Sequence, residues 1–200
     1  MSILDKVISA VTPPESAETR AKARAKARAA SEPGDWLSAI LDHHEAIEDA
    51  FDAVRRGTGA QARIQALRTL GTLLTGHSMA EEAVVYPALA DVGKKLSADT
   101  AYMEQVAAKM QMAALETMDP MSQDFLDKLG HLEGAVRHHV FKEESEWFLE
   151  LKEKGDQAAQ SRVTARYTEE YGRYMGDDPD GQGAAASRRP PEERIFTPTA

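Results

Sequence analysis

Three segments of this chain place apolar residues at alternating steps of three and four, the spacing that lines one face of an α-helix. The first runs Leu37, Ile40, His44, Ile47, Phe51, Val54, and the second Leu67, Leu70, Leu74, His77, Glu81, Val84. The third runs Phe125, Leu129, Leu132, Val136, His139, Glu143, Glu146. With a Met-rich stretch between the second and third, the pattern predicts helices over 35–56, 60–90, 98–118 and 122–154. The breaks are Gly57-Thr58-Gly59, Asp91-Val92-Gly93 and Asp119-Pro120, all strong punctuation. Links this short make consecutive helices antiparallel neighbours. The expected fold is all-α: an antiparallel up-down-up-down four-helix bundle over residues 34–155. Composition agrees, since 42% of residues are hydrophobic but only 6% aromatic, which favours helix over sheet.

The flanks differ from this core. Ile3, Leu4, Val7, Ile8 and Val11 lie at helical spacing before Pro13-Pro14. A helix so short, with little positive charge, is expected to pack on the body or on a second subunit rather than on a membrane. From Ala17 to Ala30, alanine alternates with Arg20, Lys22, Arg24, Lys26 and Arg28. As a helix this segment spreads charge almost all round, which predicts a solvated arm or linker, docking on an anionic surface being the alternative. Residues 1–33 therefore form a helical arm and 156–175 an accessory helix. Residues 176–200, rich in Asp, Pro, Gly, Ala and Arg, are expected to be a disordered tail.

A polar layer interrupts the three seams. His44, His77 and His139 point inward, and Glu81 and Glu143 follow two of them one turn later. Two ionised glutamates in a dry interior cost several kcal/mol each, on the order of a whole protein's stability, unless something compensates them. A divalent or trivalent cation does so, and keeps the imidazoles neutral. One seam histidine is an ordinary core residue. Three, with two glutamates and no nearby seam Lys or Arg, are a metal-ligand set. The pattern His-x-x-x-Glu-Glu with an aromatic five residues beyond the first Glu occurs twice, ending at Tyr86 and at Phe148. The chain has no cysteine, so thiolate metal sites, iron–sulfur clusters and disulfides are excluded.

Leu41-Asp42-His43-His44-Glu45-Ala46-Ile47, His77 to Glu82 with Tyr86-Pro87-Ala88-Leu89, and His138-His139 to Glu143-Glu144 resemble the three motifs of the hemerythrin-like, or HHE cation-binding, family. The resemblance covers about residues 35–151. It implies a non-haem centre of two iron ions, oxo- or hydroxo-bridged, with manganese or zinc as lesser alternatives. Glu81 and Glu143 would bridge the ions, with His44, His77 and His139 as further ligands. Seam position independently selects His44 over His43. His131 and His138 fall on the surface or behind the ligands, as do Glu82 and Glu144. The third helix departs from the family, placing Gln105 where a histidine is usual. An amide oxygen is a weak iron ligand, and Tyr102, one turn earlier, could bind as a phenolate or simply hydrogen-bond in the interior.

Fewer imidazoles make reversible O2 carriage less fitting than reaction with peroxide, nitric oxide or O2. The expected function is a di-iron protein interacting with these ligands in stress response or sensing. A peroxidase- or catalase-like enzyme, or a helical interaction protein with a structural metal, are the alternatives. Residues 1–30 carry six Lys/Arg against three Asp/Glu, leaving 18 against 30 in the remainder. That acidic body disfavours nucleic acid and leaves residues 1–30 as the place for a protein partner or a second copy. With no transmembrane span and no secretory signal read, the expected location is cytoplasmic. Met103, Met110, Met112, Met118 and Met121 are expected to pack the core, and Trp36 and Trp147 to close the bundle ends.

Overall fold

The computed structural model describes residues 15–176, and among these every regular element is helical. The short helix expected before Pro13 and the tail beyond residue 176 lie outside the described residues. Helix α1 is Ala17–Ala30, α2 Trp36–Arg56, α3 Ala60–Ala80, α4 Tyr86–Asp91, α5 Lys95–Glu116, α6 Gln123–Lys142, α7 Phe148–Lys154 and α8 Gln157–Met175. Four of them start where a side-chain oxygen accepts a free backbone N–H: Ser16 from Thr19, Asp35 from Ser38, Ser122 from Phe125 and Asp156 from Ala159. At the other end of α8, Gly176 turns left-handed at φ 85°, a conformation that glycine adopts without strain.

Helix α3 passes into α4, and α6 into α7, through single π-helical turns at Glu81–Val85 and Glu143–Trp147. The Tyr86 N–H donates to the Glu81 carbonyl, and the Phe148 N–H to that of Glu143. These bonds reach one residue further than in an α-helix. The sequence pattern predicts unbroken helices there, and the extra residue resets the buried face. Glu146, on the predicted seam, is exposed, whereas Glu144, Trp147 and Phe148 are buried.

Helix α2 packs along α3 and α5 along α6, while α8 lies on α3, α2 and the first π turn. Arg63 donates to the carbonyls of Gly57, at 3.0 Å, and Pro120, at 2.8 Å, so the α2–α3 and α5–α6 connections meet. The apolar core has two parts. One gathers Trp36, Leu37, Ile40, Leu41, Val84, Leu89 and Phe148, and the other Ile47, Phe51, Leu67, Leu70, Phe125, Leu129 and Val140. On α2 the boundary falls at His44, on α3 at His77, and after α6 at Glu143.

Three expectations are corrected. Helix α1 is not a solvated arm: Ala23 and Ala27, one turn apart, are buried, and it lies on α2 and the second π turn. The alternating pattern conceals this four-residue spacing of small side chains, which lets the backbone approach closely. The anionic surface that it docks on is the chain's own. The methionines do not all pack the core, since Met103, Met110 and Met121 are 72%, 67% and 49% exposed. The buried face of α5 is filled instead by Ala98, Ala101, Gln105, Met112 and Leu115. Trp147 does not cap an end: its ring stands 6.1 Å from that of His139, in the polar layer.

Candidate metal centre

Each of the two π turns begins with a glutamate that enters the space between the helices. Glu81 and Glu143 are fully buried there and meet His44 from α2 and His77 from α3. One ligand atom from each of these four residues lies within 4.8 Å of the other three. His77 Nε2 is 3.2 Å from Glu81 Oε2, and His44 Nε2 is 3.4 Å from Glu143 Oε2. His139, from α6, approaches from the other side, its Nε2 3.3 Å from Glu143 Oε1. All five histidine and glutamate candidates thus come together.

Gln105 joins them and Tyr102 does not. The Gln105 amide nitrogen donates to Glu81 Oε2 at 2.7 Å and to the Tyr86 hydroxyl at 2.5 Å. Tyr102 turns its hydroxyl to the Glu82 carbonyl, 2.7 Å away, and is only partly buried. The phenol that does enter the cluster is Tyr86, which sequence reasoning passed over. Its oxygen lies 3.0 Å from Glu81 Oε2, 3.0 Å from Glu143 Oε1 and 3.1 Å from His139 Nε2. A π turn brings residue i+5 onto the face of residue i, so Tyr86 follows Glu81 inward. The twice-repeated aromatic five residues after the glutamate was the available signal.

The outer nitrogen of each site histidine has its own partner. His44 Nδ1 lies 2.9 Å from Glu144 Oε1, His139 Nδ1 3.0 Å from Glu104 Oε2, and His77 Nδ1 3.4 Å from the Tyr167 hydroxyl. With Nδ1–H donating outward, each imidazole offers its Nε2 lone pair inward, as metal-bound histidines do. Of the remaining acidic and histidine candidates, Glu82 is paired with Lys109 at 2.6 Å, His138 with Glu15 at 2.8 Å, and His131 is exposed.

The donor set fits a cation. His44 Nε2, Glu81 Oε1, Gln105 Oε1 and Glu143 Oε2 are buried without a hydrogen-bond partner. Such groups cost about 1–3 kcal/mol each when nothing satisfies them, and more when charged. Imidazole nitrogen with carboxylate, amide and phenol oxygen suits iron, manganese or zinc. Without a cation the cluster distributes protons internally. Burial lowers the His44 and His139 imidazoles, but Glu143 with Glu144 and with Glu104 outweighs it and raises them to about 9 and about 10. Burial and the Glu143 charge push Glu81 up to about 8. For Glu143 burial is outweighed by His139 and His44, which hold its carboxyl well below the usual range. His77 is held neutral by burial and by the charge on His44.

A cavity of about 180 Å³ reaches the cluster. Its walls include Leu74, Ala108, Met112, Val136 and Val140, and it borders His77, Gln105 and His139. No helix among the described residues is long and apolar enough to cross a membrane. No curated protein and no solved structure matches the chain. The family model described as the hemerythrin HHE cation binding domain matches residues 36–151, a span that contains every histidine and glutamate of the cluster. The chain belongs to the hemerythrin HHE cation-binding domain family.

Proposed function

We propose that residues 34–155 form an antiparallel up-down-up-down bundle holding two iron ions, and that the protein uses them to bind O2, peroxide or nitric oxide in a cytoplasmic sensing or stress-response role. The meeting of the α2–α3 and α5–α6 connections at Arg63 supports the topology. His44 and His77 would hold one ion, and His139 with Gln105 the other. Glu81 and Glu143, which stand between both groups of donors, would be shared. Tyr86, bonded to Glu81, Glu143 and His139, would be the phenol nearest such an ion. Iron supplies exchangeable coordination positions and a change of oxidation state. The protein's part is to fix the imidazole tautomers through Glu144, Tyr167 and Glu104, to keep the layer dry between two apolar cores, and to admit a small ligand through the cavity.

The observation carrying this reading is the inward set of unpartnered buried atoms, whose histidines are fastened from outside. Metal analysis and absorbance of aerobically purified protein test it. About two irons per chain with ferric charge-transfer absorption are expected. Zinc or no metal, with a melting temperature unmoved by chelator, would sink the reading. Sustained decay of added hydrogen peroxide would replace ligand binding by enzymatic turnover.

A further inference from the structure

The family domain spans 36–151, yet two groups fastening site histidines lie outside it. Arg24 stands on α1 and Tyr167 on α8. We infer that these flanking helices are part of the metal centre, with Arg24, through Glu144, and Tyr167 positioning the His44 and His77 imidazoles. The inference rests on the metal-binding reading above.

Arg24 Nε donates to Glu144 Oε1 at 2.9 Å, the same oxygen that His44 Nδ1 meets at 2.9 Å. The terminal nitrogens of Arg24 grip Glu48 at 3.0 and 3.1 Å, so the guanidinium is held by two carboxylates. Glu144 is 1% exposed. A carboxylate buried that deep is costly without a fixed partner, and the Arg24 guanidinium at 2.9 Å supplies one and aims it at His44. On α8, the Tyr167 oxygen lies 2.9 Å from His43 Nδ1 and 3.4 Å from His77 Nδ1. With His77 Nδ1–H donating to that oxygen, the Tyr167 O–H is left to donate to His43. Gly76, beside His77, lets α8 approach: a Cβ there would come within 2.9 Å of Met175 Sδ.

His139 needs neither helix. Glu104 holds its outer nitrogen and Lys142 holds Glu104 at 2.5 Å, all within the family domain. Disturbing α1 or α8 should therefore weaken one ion and spare the other.

The test is stepwise Co(II) binding to the metal-free full-length chain, followed by cobalt absorption and calorimetry. Arg24→Gln and Tyr167→Phe are each expected to weaken one of two binding steps by about 10- to 100-fold, the usual effect of losing a group behind a metal ligand, and to leave the other step within about threefold. Arg28→Gln is the control, because Arg28 pins α1 to Asp42 and Glu45 without touching Glu144. It should change neither step. Unaltered binding in helical Arg24→Gln and Tyr167→Phe would overturn the inference. So would an equal loss in Arg28→Gln, which would reduce α1 to a general brace. If Arg24→Gln loses helicity, Arg24→Lys, which keeps the charge but not the fork, takes its place. Wild-type protein binding no Co(II) would instead overturn the metal-binding reading itself.

Discussion

Around His44 the polar layer is closed by Phe148 and braced through Glu144 from α1, whereas His77, Gln105 and His139 border a cavity between α3, α5 and α6. The closed half has one imidazole; the open half has two, with an amide. A centre built this way separates retention from access. Gln105 in the histidine position of the third long helix is then consistent with a half-site kept open.

Glu143→Gln is expected to have the largest effect, because one carboxylate serves both halves. Metal content should fall from about two ions per chain to well below one, read by metal analysis on folded protein. Retention of one ion would show that only one half depends on it, and would break the comparison there.

Protons sharpen it next. At neutral pH His44, His139 and Glu81 each hold a proton that a cation displaces, their values being about 9, about 10 and about 8. Metal uptake at pH 7 should release about three protons, measurable by calorimetry in buffers of different ionisation enthalpy, and affinity should fall by about two to three orders of magnitude per pH unit on acidification. The metal-free fold responds oppositely. Both histidines are raised above their unfolded value of about 6.5, so their contribution is complete below that pH and lost as pH rises through about 9 and about 10. Glu81, raised above the usual carboxylate value, acts in the same direction. Melting in chelator should therefore be lower at pH 9.5 than at pH 6.5.

Filling the cavity addresses the open half alone. Val136→Trp should slow nitric oxide or azide association by about tenfold with metal content unchanged, followed by stopped-flow absorbance. Tyr86→Phe should alter the visible spectrum and leave the cobalt step that depends on Arg24 in place, while Tyr102→Phe should change neither. The smallest effect is expected at Gly76→Ala. The new methyl comes within 2.9 Å of Met175 Sδ, a flexible side chain that can give way, and in ordinary contact with the Tyr171 ring at 3.6 Å, so a cost under about 1 kcal/mol and a fall of a few degrees in melting temperature should result.

Much of this was legible in the chain. The alternating three-four spacing located the long helices, and the same counting picked His44 over His43, which turns out to stack on Tyr171 at 3.7 Å outside the cluster. Periodicity failed where the backbone changed its own period. Counting straight through Glu143 put Glu146 on the seam, because a π turn leaves no mark in composition. It failed again where burial depends on a distant partner: nothing near residue 24 announces Glu144, and nothing near residue 167 announces His77. The Met-rich stretch misled for a third reason, since helical spacing says that one face is buried but not which of two apolar faces the neighbours cover.

The two π turns set the phase of everything after them. Each adds one residue, about 100° of rotation, just beyond a cluster glutamate. Removing exposed Ala83 would take the inserted residue out of the first π turn and leave Pro87, which has no N–H, inside a continuous α-helix. It would also swing the Tyr86 phenol away from Glu81 and turn Leu89 out of the core. Shortening this protein by a single residue at that point would therefore take the centre apart without altering any residue that forms it.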